Sequence, residues 1–232
     1  MAPVTALAGV TPQPSGAPRR LRCSGVSGAV SEPKVTSGNV SAREGDGFLI
    51  TPGSTRKDTV TPKSIVDCRA DGSPVDPDAH PSSEIAMHKE VYRIRPDIGA
   101  AIHAHPHYCL ACSLGDISLT EMLLPELAIY IGPVPSVPYA TPGTDEMAET
   151  LDPFLPKHNA FLLRRHGVLV LGKDLLDAYN RLEHLEHIAN VAYLVSSLGS
   201  IEPLTKTELR KLTVQARRLG QHISQTLLDL LE

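Results

Sequence analysis

Residues 39–51 alternate polar and apolar from Asn39 to Arg43 and then, after Glu44-Gly45-Asp46-Gly47, carry the apolar run Phe48-Leu49-Ile50, the pattern of two short strands joined in a hairpin. Ile65 to Ala70 reads as another strand, closed by the Asp71-Gly72 turn pair. Pro81-Ser82-Ser83-Glu84 then opens a helix, with a serine as N-cap and Glu84 in the first turn. Ile85, His88, Val91 and Tyr92 share one face of it, and Pro96 ends it. Ala100 to His105 predicts a short strand, followed by an apolar helix over Tyr108 to Leu114, and Thr144 caps a brief helix through Leu151. Phe161 to Leu163 and Val168 to Leu171 are apolar strand runs flanking the turn Arg164-Arg165-His166-Gly167. The longest helix is predicted over Asp174 to Leu198 with Gly199 as its C′ residue, and a last amphipathic helix over Lys206 to Leu231. Interleaved strands and helices without an internal repeat predict one α/β domain of three layers, a central, mostly antiparallel sheet flanked by helices.

Composition adjusts this picture only at the amino terminus. Residues 1–37 are rich in Pro, Gly, Ala and Ser, carry Arg19, Arg20 and Arg22, and hold no acidic residue before Glu32. They are expected to be a flexible or atypical leader, with residues 38–232 forming a single domain; an acid-poor, Arg-containing start is also compatible with an organelle transit peptide. There is no uninterrupted apolar stretch of the kind a secretory signal needs, and no run of about 18 apolar residues that would span a membrane. The net charge of −4 and the 4% aromatic content, with no Trp, argue against a nucleic-acid partner, which would call for basic patches or stacking platforms. The four cysteines, Cys23, Cys68, Cys109 and Cys112, are too sparse for a disulfide-stapled secreted scaffold. Cys109 and Cys112, among Leu110, Ala111 and Leu114, read as two packed thiols. A cytoplasmic location is the default expectation.

The chemistry concentrates in the histidines, of which there are 10. His103 and His105 stand two apart in a predicted strand, so both imidazoles project from one face while Ile102 and Ala104 enter the core on the other. Two neutral imidazoles so placed can bind one metal ion. A third ligand must come from elsewhere in the chain. His166, in a sharp turn between two apolar strands, and Glu84, at a helix start beside two serines, are the candidates. Three histidines with an exchangeable fourth position would make a catalytic zinc site. Gly38 to Ser41, Thr51 to Ser54, and Ser82-Ser83 offer short side chains, flexible backbone or a helix N-terminus, suited to holding a phosphate without cationic side chains.

Seven pieces occur in order: Gly38-Asn39-Val40-Ser41-Ala42-Arg43, Thr51-Pro52-Gly53, Pro81-Ser82-Ser83-Glu84 with His88, Arg95-Pro96-Asp97, His103-x-His105, Pro138-Tyr139-x-Thr141-x-Gly143-Thr144, and His166-Gly167. Together they resemble the class II aldolase/adducin family, most closely its fuculose-phosphate aldolase branch, over about residues 38–198. The resemblance implies a zinc ion on His103, His105 and His166, with Glu84 as a fourth ligand and as general base when substrate displaces it. It implies phosphate binding by Asn39, Thr51, Gly53, Ser82 and Ser83, cleavage of a ketose 1-phosphate to dihydroxyacetone phosphate and a small aldehyde, and a fourfold homotetramer with active sites at subunit interfaces.

Three departures stand out. Residues 1–37 do not read as the helix that usually precedes the Gly-Asn-Val-Ser stretch. The family's loop often runs Thr-Pro-Ser-Gly or Thr-Pro-Thr-Gly, whereas here Gly53 precedes Ser54. The branch's acid tyrosine is missing from its usual place; Glu126 falls where a methylthioribulose-phosphate dehydratase branch keeps a catalytic glutamate, and Tyr130 lies further along. Glu126 is therefore a second candidate acid/base. Ribulose-phosphate 4-epimerases typically carry Asp at the position of Glu84, which favours an aldolase. A non-catalytic adducin-like interaction module is the reading from another class, and the four intact metal-ligand candidates count against it. Glu183, His184, Glu186 and His187, on the long helix, read as solvated or interface residues, and His107 as the rim of the site.

Overall fold

Residues 38–56, 59–199, 202–221 and 223–232 are described by a computed structural model; the expected leader over 1–37 lies outside them. Strands β1 (Asn39–Glu44) and β2 (Gly47–Ile50) form the expected hairpin, Ser41 opposite Ile50, with Gly45 at φ +54° in its turn. Later strands are β3 (Val66–Cys68), β4 (Ala100–Ala104), β5 (Ser136–Val137), β6 (Ala160–Leu163) and β7 (Gly167–Gly172). They join in one sheet of order β3-β2-β1-β4-β7-β6-β5. Every neighbouring pair is antiparallel except β5 with β6.

β4 lies at the centre of the sheet, and all five of its residues are buried. Its alternation sorts side chains to two cores. Ala100, Ile102 and Ala104 pack toward one face with α2 (His107–Gly115) and α4 (Leu175–Ser196); Ala101 packs toward the other with α1 (Ile85–Ile94) and α3 (Asp145–Leu151). Helices on both sides of the sheet make the three layers. Burying a large side chain such as Phe161 contributes about 2–3 kcal/mol before entropy is counted. No described helix is long and apolar enough to cross a membrane.

Several local expectations change. The strand near Ile65 is only Val66–Cys68, because Arg69 N–H turns to the Ser73 carbonyl instead of extending the ladder. Glu84 itself occupies the N-cap position of α1; Ser82 Oγ supports it by accepting the Glu84 backbone N–H at 3.3 Å. The long helix is capped by Asp174, which accepts from Asp177 N–H, and ends at Ser196, with Gly199 further on at φ +133°. The final amphipathic helix is two helices, α5 (Lys206–Arg218) and α6 (Gln225–Asp229). Gly220 at φ +68° turns the chain out of the first, and Ser224 caps the second by accepting from Leu227 N–H. A π-helical turn over Leu127–Ile131 and the two-residue β5 were not anticipated.

Candidate metal centre and active site

His103 projects from β4 toward the α1 layer. Its Nδ1 lies 2.8 Å from the Val168 carbonyl on β7, and a carbonyl oxygen only accepts, so Nδ1 carries the ring proton. Burial pushes the His103 pKa down to about 3 despite the nearby Glu84 carboxylate, so the ring is neutral and Nε2 presents a lone pair. That lone pair faces His105 Nε2 at 2.9 Å and Glu84 Oε2 at 3.3 Å. His166 closes the group, its Nε2 lying 3.0 Å from Glu84 Oε1.

The turn before β7 delivers His166. Arg165 sits in the left-handed region at φ +59°, and Gly167 lies so close to β4 that a Cβ there would be 2.4 Å from the Ala104 carbonyl oxygen and 2.6 Å from His105 Cδ2. Only a glycine lets the turn approach the H-x-H strand this closely.

One ligand atom from each of His103, His105 and His166 lies within 4.8 Å of the others. Glu84 Oε1 and His166 Nδ1 are buried without a hydrogen-bond partner of good geometry. A neutral imidazole lone pair directed at a carboxylate oxygen is repulsive unless a cation lies between them. The donor set, nitrogen-rich with one carboxylate, fits a divalent transition metal such as zinc. Burial pushes the Glu84 carboxyl up, but the contact with His166, the imidazole charges and the Asn39 amide outweigh it and hold it well below the usual carboxylate range. Burial also pushes His105 down, helped by His166 and opposed by Glu84.

Asn39 and Glu84 meet directly, Asn39 Nδ2 donating to Glu84 Oε2 at 2.6 Å. Asn39 is opposite His103 in the β1–β4 register and is buried. Thr51 is buried next to it, its Oγ1 accepting from Val40 N–H and its carbonyl from Ser82 N–H. Gly53 N–H reaches the His80 carbonyl, and a Cβ on Gly53 would come within 2.9 Å of the Pro81 carbonyl oxygen. Ser54 takes φ +51°, so the inverted Gly-Ser order leaves a non-glycine residue in the left-handed region, a cost of about 1 kcal/mol. Ser82 is buried and Ser83 exposed beside them at the start of α1. Thr51, Gly53 and Ser82 are thus brought together by backbone contacts, at a helix N-terminus that favours an anion.

Glu126 stands apart from this cluster. It precedes the π-helical turn, where its charge acts on His184, whose ring stacks on Tyr130 with centroids 4.7 Å apart. His107 is exposed at the first turn of α2. Cys68, Cys109 and Cys112 are free, buried thiols, and Cys112 Sγ points at the Ala189 carbonyl. Burial pushes the Cys112 thiol up to about 11, so it is not an ionised nucleophile.

Glu186 is not a solvated residue. Its two carboxylate oxygens accept the Tyr108 and Cys109 backbone N–H groups at 3.0 Å each, capping α2 just beyond the H-x-H strand. Arg43 and Arg95, both within the sequence motifs, act as staples. Arg43 donates to the Tyr92, Arg95 and Ile98 carbonyls, and Arg95 to those of Leu155 and His158. Tyr92 and Glu186 were missed as contributors to the site, and Ser41, expected only as part of a phosphate loop, is instead buried against His88 and Tyr92. Ser41 and Tyr92 do carry a signal in their spacing, two residues from Asn39 and four from His88.

The sequence matches the family model for the Class II Aldolase and Adducin N-terminal domain over residues 33–193. It is 34% identical over 164 residues to an L-fuculose phosphate aldolase of Methanococcus maripaludis, covering 71% of this chain and 88% of that protein. It is 31% identical over 182 residues to a 3-oxo-tetronate 4-phosphate decarboxylase of Escherichia coli, covering 76% and 85%. A solved L-fuculose 1-phosphate aldolase superposes with a TM-score of 0.74 at 29% identity, over 81% of this chain and 88% of that one.

Proposed function

The chain belongs to the class II aldolase and adducin family and is a carbon–carbon lyase, and on that premise we propose that it cleaves a short ketose 1-phosphate, similar to fuculose 1-phosphate, into dihydroxyacetone phosphate and a small aldehyde. The observation that carries the reading is the cluster of His103, His105 and His166, with Glu84 against two of these imidazoles and the Val168 carbonyl on His103 Nδ1 leaving its Nε2 turned inward. Zinc on His103, His105 and His166 would supply Lewis-acid stabilisation of the negative charge that develops on the ketose oxygens.

The rest falls to this chain's side chains. Retro-aldol cleavage breaks the C3–C4 bond; the C4 hydroxyl loses its proton as the aldehyde forms, the bonding pair stays with C3, and C3 is then protonated. Glu84 stands at the imidazole cluster, its Oε1 3.0 Å from His166 Nε2 and its Oε2 held by the Asn39 amide, which suits it to carry that proton as general acid/base. Asn39, Thr51, Gly53, Ser82 and Ser83 are the proposed holders of substrate and phosphate. Glu126 is the proposed acid/base at the aldehyde oxygen; because it lies apart from Glu84 within one chain, it would act across a subunit interface, in keeping with a fourfold homotetramer. Residues 38–232 as one cytoplasmic domain complete the proposal.

A decarboxylase relative at nearly the same identity supports a second reading, loss of CO2 from a 3-oxo acid phosphate, which also leaves an electron pair beside a carbonyl. The test is metal content of the purified protein followed by product identification with ketose 1-phosphates, ribulose 5-phosphate, methylthioribulose 1-phosphate and 3-oxo-tetronate 4-phosphate. Dihydroxyacetone phosphate with an aldehyde is the expected product. Epimerised, dehydrated or decarboxylated product would reassign the reaction. A protein that holds no divalent metal, and is not activated by one, would return the fold to a non-catalytic role.

A further inference from the structure

The proposed function gives no role to four buried polar groups, His88, Ser41, Tyr92 and the carbonyl end of the Asn39 amide. They form a single chain of hydrogen bonds that ends on Glu84. Tyr92 OH and Ser41 Oγ are 2.8 Å apart, Ser41 Oγ and His88 Nδ1 are 2.6 Å apart, His88 Nε2 meets Asn39 Oδ1, and Asn39 Nδ2 lies 2.6 Å from Glu84 Oε2. Asn39, Ser41, His88 and Tyr92 are all buried, His88 and Ser41 completely.

The direction of every bond follows from one end. Glu84 is a carboxylate and can only accept, so the Asn39 amide must turn its NH2 toward it and its Oδ1 away. Oδ1 can only accept, so His88 is the Nε2–H tautomer. His88 Nδ1 is then a lone pair that takes the Ser41 hydroxyl proton, and Ser41 Oγ in turn accepts from Tyr92 OH. No member can be reversed without leaving two acceptors or two donors face to face in a dry interior, where an unmade bond costs more than it would in water.

The ladder is built from matched repeats. Glu84, His88 and Tyr92 are spaced by four along α1, a rise of about 6 Å per step. Asn39 and Ser41 are spaced by two along β1, a rise of about 6.6 Å per step. Helix and strand therefore advance together, and each strand residue meets successive helix residues: Asn39 lies between Glu84 and His88, and Ser41 between His88 and Tyr92.

We propose that His88 is a positioning residue: its Nε2–H locks the Asn39 amide so that the NH2 always faces Glu84 Oε2, orienting the Glu84 carboxylate toward the imidazole cluster. This inference rests on the proposed role of Glu84 at a metal centre. His88 reaches Glu84 only through Asn39.

Two measurements test it. The ring 15N shifts of His88 in the zinc-free wild-type protein should report a protonated Nε2 and an unprotonated Nδ1; the Nδ1–H tautomer overturns the proposal without any variant being made. Zinc affinity and steady-state kinetics are then compared for His88→Leu and His88→Gln, the amide being able to keep a donor at the Nε2 position. The leucine variant should bind zinc about 10–100-fold more weakly and lose kcat by a similar factor with KM little changed, while the glutamine variant stays near wild type. A folded leucine variant with wild-type zinc affinity refutes the proposal, as does a glutamine variant as impaired as the leucine one. If His88→Leu does not fold, Ser41→Ala replaces it, with a smaller weakening of zinc binding expected and an unchanged affinity overturning the idea. A wild-type protein with the Nε2–H tautomer and tight zinc binding, but no turnover of any sugar phosphate, would remove the proposed function and leave the positioning chain in place.

Discussion

Gly167→Ala should disturb the proposed metal centre although residue 167 is not among its candidate ligands. A Cβ built there comes within 2.4 Å of the Ala104 carbonyl oxygen and 2.6 Å of His105 Cδ2. Ordinary contact needs roughly 3.4 Å or more, so the turn must withdraw from β4 by about 1 Å or the His105 ring must swing aside. Ala104 is opposite Val168, whose carbonyl binds His103 Nδ1, so withdrawal loosens two of the three imidazoles together. Overpacking of this kind costs about 1–3 kcal/mol. For a chain of this size, 2 kcal/mol corresponds to a fall in Tm of about 4–8 °C. A 1 Å misplacement of the ligand set should lower turnover on the order of 100-fold. Zinc titration calorimetry with thermal melts of the zinc-free and zinc-loaded protein checks this, the loaded form losing more of its Tm than the zinc-free form. Unchanged zinc affinity would show that the close approach of Gly167 to β4 does not hold the ligands in place, and the steric reasoning would fail.

Glu84→Gln keeps the size of the side chain and removes its charge; the protein should fold normally and lose turnover by about 10²–10⁴-fold, with wild-type-like rates on the preferred sugar phosphate removing Glu84 as acid/base. Acid stability should depend on His88, whose pKa burial pushes down to about 4 against a weaker opposing effect of Glu84. The unfolded chain binds a proton there near pH 6.5 and the native chain does not until about 4. This contribution is therefore fully present above pH 6.5 and falls by about 3 kcal/mol as pH drops to 4. Urea midpoints measured across that window should decline less steeply in His88→Gln, and an identical decline would mean that other groups carry the pH dependence. Glu186→Ala leaves the Tyr108 and Cys109 N–H groups without their charged acceptor and should cost about 2 kcal/mol in chemical denaturation; a cost near zero would show that solvent replaces the cap.

Much of this site is local, and local pattern is what a sequence records. A period of two over Ile102 to His105 is enough to place both imidazoles on one face of a strand, because side chains of any strand alternate. The serine pair at a helix start and the hairpin around Gly45 follow from the same short-range rules, and the described β1–β2 pairing agrees with them. The repeats of four in Glu84, His88 and Tyr92 and of two in Asn39 and Ser41 were equally readable, but nothing in either stretch alone says that they face each other.

Partnership across the fold required the sheet itself. His166 reaches His103 and His105 because β4 and β7 are antiparallel neighbours, separated by more than 60 residues of chain, and because Gly167 tolerates their close approach. The tautomer of His103 depends on the Val168 carbonyl, a main-chain atom that every residue possesses and no motif can mark. Glu186 lies among charged residues that read as solvated or interface residues, and only the docking of α4 against α2 turns its carboxylate to two backbone amides. The last helix reads as one because its polar pattern persists through Gly220, and the left-handed turn that divides it is a property of the backbone. Local periodicity, set within a few residues, was enough to say which faces carry the candidate ligands. Which faces meet, and which lone pairs they leave for a cation, was decided by strand pairing and helix docking over distances that periodicity does not encode.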